Sequence, residues 1–152
     1  MNKHFTIFIV FLITLLSCEK DDICVEQITS NLIVRFYDNE DRTKPKALTK
    51  MYIWASGKDS IVSYINKSLD SISLPLNLSE NVTKYVIENN SVKDTVEFTY
   101  FRNDLFVSRS CGYKTIFENL AISKNTVQWI IDAEIINSTI ENETAKHINI
   151  YH

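Results

Sequence analysis

The fold is decided by residues 96–101, VEFTYF, where apolar side chains alternate with Glu97 and Thr99. The same period of two occurs in residues 32–37, LIVRFY, and in residues 51–56, MYIWAS. Strict alternation is typical of β-strands because successive side chains point to opposite faces of a sheet. These three stretches therefore predict strands.

Further strands are predicted where β-branched and aromatic residues lie between turn-forming ones. They are residues 71–76, 83–88, 105–108, 113–117, 127–136 and 147–151. Residues 102–104, Arg-Asn-Asp, predict a turn, and Gly57 fits a turn after the strand at 51–56. Trp129 is expected to be a core anchor of a central strand beside a disulfide. Seven to nine short strands predict an all-β fold, an antiparallel β-sandwich of the immunoglobulin-like kind.

Composition excludes several classes of protein. The chain has 152 residues, of which 45% are hydrophobic and 23% charged, as in ordinary globular domains. The net charge of -3 provides no basic surface, so we expect no nucleic-acid partner.

The N-terminus has the pattern of a bacterial lipoprotein. Residues 1–17 combine a short polar start with a twelve-residue apolar run, which is too short to span a bilayer and suits a cleaved signal peptide. Leu15-Leu16-Ser17-Cys18 resembles a lipobox, in which the cysteine is acylated and becomes the mature N-terminus. We therefore expect a signal peptide at 1–17, a lipidated tether at 18–30 beginning at Cys18, and a domain at 31–152. Lys20-Asp21-Asp22 fits either a surface-export signal or a solvated tether.

Assigning Cys18 to lipid leaves Cys24 and Cys111 as an even pair. In an oxidising compartment such a pair predicts a disulfide. A reactive thiol at Cys111 and a metal site are the alternatives. Both have little support, because no second cysteine lies at the spacing of metal ligands and no histidine is near in sequence.

A family resemblance rests on residues 106–114, FVSRSCGYK, and 140–148, IENETAKHI, with Cys24 and residues 35–38, RFYD. Together they resemble a family of small flavobacterial lipoproteins of uncharacterised function. The resemblance implies a secreted, lipid-anchored domain with Cys24 paired to Cys111. It brings no catalytic residues.

Catalytic chemistry finds little support in the sequence. His147 and His152 are the candidate bases of the mature chain, and they lie on opposite faces of an extended strand, so they do not form a chelating pair. Glu141 and Glu143 fit a solvated loop better than a paired-carboxylate site. We expect no catalytic residues, no metal and no cofactor.

The candidate binding platform is aromatic. Tyr52 and Trp54 share one strand face, and Tyr37 is expected on the corresponding face of a neighbouring strand. Exposed, the three rings would stack against a sugar or a partner loop. Because large aromatic residues are more often buried than displayed, we favour the core interpretation, in which Met51 and Ile53 face outward or form a second layer.

The sequence thus predicts a non-enzymatic lipoprotein of the outer membrane with a binding or structural role. The lipid would hold it to the membrane, and an envelope protein or a glycan would be its partner, on the cell surface or in the periplasm. A glycan-binding accessory module of an uptake system and a small envelope hydrolase using His147 are the alternatives.

Overall fold

A computed structural model describes residues 23–24, 29–124 and 126–152. The predicted signal peptide at 1–17, the lipidation at Cys18 and most of the tether at 18–30 lie outside these described residues. Within them, no helix is long and apolar enough to cross a membrane.

The described residues form nine strands and one turn of 3-10 helix at Val62–Tyr64. The strands are β1 (Leu32–Tyr37), β2 (Leu48–Ala55), β3 (Lys67–Leu69), β4 (Ser71–Leu74), β5 (Val82–Asn89), β6 (Val92–Ser108), β7 (Gly112–Lys124), β8 (Asp132–Ile135) and β9 (Ile148–Tyr151).

The strands form two sheets, with the orders β4-β1-β9-β8 and β3-β2-β5-β6-β7. Neighbouring strands are antiparallel except β1 and β9, which run parallel. The predicted all-β sandwich with seven to nine strands is confirmed.

The core lies between the sheets and is built from alternate strand residues, as the period of two requires. Leu32, Val34 and Phe36 of β1 are fully buried, and Val96 and Phe98 of β6 meet them in one cluster. Burying one such side chain contributes about 1.5–3 kcal/mol.

The turn predicted at residues 102–104 is wrong. β6 continues through these residues, and Arg102, Asn103 and Asp104 pair with consecutive residues of β7. This part of the hairpin is exposed, so polar side chains are tolerated at successive positions. The alternation of apolar and polar residues that predicts a strand is therefore absent here.

The strand predicted at 127–136 is reduced to β8, because a buried carboxylate holds the preceding segment. Asp94 is fully buried and accepts backbone N–H bonds from Gln128, Trp129 and Ile130 at 2.8–3.0 Å, and a hydroxyl bond from Thr126 at 2.8 Å. Burial by itself would raise the pKa of Asp94, but these hydrogen bonds outweigh it and lower the pKa. The segment therefore loops around Asp94.

Trp129 packs against the core as expected, but it lies away from the disulfide and in the loop before β8, which is an edge strand and not a central one. Its ring lies 6.2 Å from that of Phe36, and its indole N–H donates to the Ile87 carbonyl at 3.2 Å. The neighbouring Asp94 is near the start of β6, whereas Cys111 follows the end of that strand.

The predicted disulfide between Cys24 and Cys111 is confirmed, with a Cα–Cα distance of 4.9 Å. It ties the segment before β1 to the turn between β6 and β7, whereas in antibody domains the bridge links the two sheets. Gly112 ends this turn with a φ of +70°, a conformation that favours glycine.

Candidate binding site

β2 places its aromatic residues outside the core. Met51 and Ile53 are fully buried, whereas Tyr52 and Trp54 point to the outer face and are only partly buried. The core interpretation of Tyr52 and Trp54 is therefore wrong. Aliphatic side chains fill the interior along this strand, and alternation directs the aromatic ones outward.

Beside these rings lies a groove of about 370 Å³, called here the β2 groove. Its lining consists of two aromatic rings and four polar side chains: Tyr52, Trp54, Lys58, Asp59, Ser60 and Glu88. Two aromatic rings beside hydrogen-bonding side chains can contact a ligand that has both an apolar face and polar groups.

A tight turn after β2 brings three of the polar residues to the groove. Gly57 has a φ of +77°, and the Lys58 N–H donates to the Ala55 carbonyl at 2.9 Å. The chain then returns along β2, and the Ile61 N–H donates to the Ile53 carbonyl at 2.7 Å. Lys58, Asp59 and Ser60 are thus held beside the Trp54 ring.

The charges around the groove balance. Tyr52 pairs with Glu88 across β2 and β5, and the Glu88 carboxylate lies 3.7 Å from the Lys93 ammonium. That ammonium is 5.4 Å from the centroid of the Trp54 ring, so one face of the indole contacts a cation. With Lys58 and Asp59 included, two carboxylates face two ammonium groups. A ligand with hydroxyl groups and no large charge fits this arrangement.

Tyr37 does not join this platform. It lies in β1, which pairs with β4 and β9 in the other sheet, and only 7% of it is exposed. Lys146 covers its ring at 4.7 Å and donates to its hydroxyl at 3.1 Å, which lowers the pKa of Tyr37. Tyr151 packs beside it and lies under Arg42 at 4.2 Å. The predicted three-ring platform is therefore limited to Tyr52 and Trp54.

His147 is buried and forms a hydrogen bond with the backbone. The residue is 1% exposed, and its Nδ1 atom accepts the Ile33 N–H at 3.0 Å, which places the ring proton of the neutral form on Nε2. Burial lowers the pKa of His147. Glu143 likewise accepts the Asn31 N–H at 2.9 Å. These contacts give both residues a structural role.

No group of three or more His, Cys, Asp or Glu residues suited to a metal ion occurs in the described ranges.

A family model matches residues 50–152, well over half of the chain. The chain belongs to DUF6452, a family of unknown function. The DUF6452 match begins within β2, so it includes the whole β2 groove and Cys111, whereas β1 and Cys24 precede it. No curated protein and no solved structure matches the chain.

Sequence reasoning missed the polar residues of the groove in this DUF6452 chain. Gly57 gave a local signal for the turn that carries Lys58, Asp59 and Ser60. Glu88 had no such signal, since its place opposite Tyr52 depends on the register between β2 and β5.

Proposed function

We propose that this DUF6452 chain is a lipid-anchored protein of the outer membrane that binds carbohydrate in the β2 groove without catalysing a reaction. One observation carries the proposal: Tyr52 and Trp54 lie on the outer face of the sandwich beside a groove rimmed with hydrogen-bonding side chains.

The chemistry of the groove suits a sugar. An aromatic ring offers an apolar surface to the C–H groups of a pyranose, while carboxylate, ammonium and hydroxyl groups meet its hydroxyls. The Asp59 and Glu88 carboxylates accept such bonds, the Ser60 hydroxyl accepts or donates them, and Lys58 donates them. Because two ammonium groups balance the two carboxylates, a neutral oligosaccharide is favoured over a polyanion.

Two features support export and anchoring. The leader at 1–17 ends in a lipobox-like sequence at Cys18. The disulfide between Cys24 and Cys111 belongs to proteins of oxidising compartments, outside the cytoplasm.

Binding is tested by titrating neutral oligosaccharides into the purified full-length protein and measuring heat and tryptophan fluorescence. Trp54→Ala should weaken binding roughly 10- to 100-fold, the loss expected when a stacked aromatic surface is removed. Phe101→Ala, which removes an exposed aromatic ring outside the groove, is the matched control and should bind as the native chain does. Equal affinity of the native and Trp54→Ala proteins for every bound sugar would contradict the proposed site.

Anchoring is tested separately in cells by labelling with a radioactive fatty acid. The native chain should be labelled and sediment with membranes, and Cys18→Ser should lose the label. Protease treatment of intact cells then distinguishes the surface from the periplasm: loss of a C-terminal tag, with a periplasmic control intact, places the domain outside. If the native chain were not labelled, the proposed lipid anchor would be refuted, whereas the proposed carbohydrate site would be unaffected.

A further inference from the structure

The end of the β6–β7 hairpin carries exposed apolar side chains. Phe106 and Tyr113 are cross-strand partners with ring centroids 5.4 Å apart, and they are 60% and 64% exposed. Ile23, next to the disulfide, is 83% exposed, and Arg109 is exposed in the turn. These four residues are called here the hairpin tip.

The disulfide sets a maximum distance between the hairpin tip and the proposed lipid. Cys24 is bonded to Cys111 in the turn and is six residues after Cys18 in the sequence. Since a chain spans at most about 3.6 Å per residue, Cys24 lies within about 22 Å of Cys18, whatever path the chain takes. The apolar hairpin tip is thus confined to the neighbourhood of the membrane surface.

We infer that the hairpin tip is a second membrane contact, which enters the headgroup region of the bilayer that holds the lipid on Cys18. The inference rests on the lipid anchor of the proposed function. Tyrosine is favoured at membrane interfaces because its ring is apolar and its hydroxyl polar, and Phe106 adds apolar surface beside Tyr113. Arg109 supplies a cation for lipid phosphates.

The bilayer is the occupant that the covalent structure favours. The tether keeps the hairpin tip within a limited distance of the lipid, and the described residues show no comparable constraint that brings a protein partner to it.

The contact would also orient the domain. Trp54 of β2 pairs with Val86 of β5, which in turn pairs with Thr95 of β6. Thr95 is near the start of β6, more than ten residues along that strand from the hairpin tip. The β2 groove would be held away from the membrane and toward ligands in solution.

Depth-dependent fluorescence quenching tests the inference on the mature lipidated protein, which begins at Cys18. The protein is reconstituted into vesicles of phosphatidylethanolamine and phosphatidylglycerol, with and without phosphatidylcholine brominated on its acyl chains. Tyr113→Trp places an indole at the hairpin tip. Val92→Trp is the matched control, since Val92 is also exposed but lies at the opposite end of β6. The emission of the native chain is subtracted from both.

We expect the indole at position 113 to lose a substantial part of its emission to brominated lipid, because an aromatic ring at the headgroup level lies close to the acyl chains. The indole at position 92 should lose none. Co-flotation with the vesicles but equal or absent quenching at the two positions would overturn the inference and leave the lipid anchor standing. A native chain that does not float with the vesicles overturns both.

Discussion

Replacing Asp94 should remove the central hydrogen-bond acceptor of the segment between β7 and β8. Asp94→Ala leaves the Ile130 N–H, which is fully buried, without its partner, at a cost of about 1–3 kcal/mol. The Trp129 N–H lies in a partly buried position and adds about 1–2 kcal/mol, whereas water can reach the exposed Gln128. Part of this cost is offset, because a carboxylate no longer has to be desolvated. The net loss of unfolding free energy should be about 2–4 kcal/mol.

Asp94→Asn separates charge from shape. It keeps one acceptor oxygen but loses the charge that strengthens four donated bonds, so it should cost about 1–3 kcal/mol. Asp104→Ala is the matched control on the same strand: Asp104 is exposed and accepts one hydroxyl bond from Thr115. Its effect should stay within about 0.5 kcal/mol.

The assay for these variants is urea unfolding followed by tryptophan fluorescence and circular dichroism, with equal m-values as the condition for comparison. Because the folded pKa of Asp94 is lowered, its contribution is complete above the unfolded pKa of 3.8 and is lost as the pH falls below that value. The native chain should therefore lose more stability than Asp94→Asn on acidification below pH 3.8. If Asp94→Ala lost less than about 1 kcal/mol of unfolding free energy, the argument that its buried N–H donors are costly to leave unpaired would be refuted.

Three further predictions concern stability. The double variant Cys24→Ala and Cys111→Ala should lose about 4–5 kcal/mol, from the entropy of the loop that the bond closes, and thiol labelling of the unfolded, unreduced native protein should find neither cysteine free. Because burial lowers the pKa of His147, the unfolded chain takes up a proton before the folded chain does as the pH falls. The unfolding free energy should therefore be highest above pH 6.5 and fall by up to about 1.4 kcal/mol per pH unit below it. The same dependence of stability on pH in His147→Gln would contradict this. Ile53→Ala in the core should cost about 2–5 kcal/mol, whereas Trp54→Ala on the outer face should cost less than about 1.5 kcal/mol and should unfold with the same m-value.

The sequence was informative about strands whose faces differ in polarity. Residues 32–37 and 96–101 alternate, and both lie in strands with a buried face. β3 was missed because Lys67 and Ser68 are exposed and leave no apolar pattern to detect. Alternation also shows only which residues share a face, so it could not decide which face of β2 is the core.

Long-range pairing limited the prediction of the site. Tyr37 and Tyr52 have similar local patterns, yet β1 and β2 enter different sheets. Asp94 was not singled out, since its partners lie more than thirty residues further along the chain. The disulfide could be predicted because counting cysteines requires no knowledge of register.

The strand order has a consequence for the order in which the two sheets can form during synthesis. All five strands of one sheet, β2, β3, β5, β6 and β7, lie within residues 48–124, so that sheet can form as soon as this part of the chain has emerged. The other sheet needs β8 and β9, and its parallel pair joins Val34 to Ile148, more than a hundred residues later. Until then one edge of β1 is paired with β4 and the edge that β9 will occupy is open, so β1 can pair with another chain before the last strands arrive.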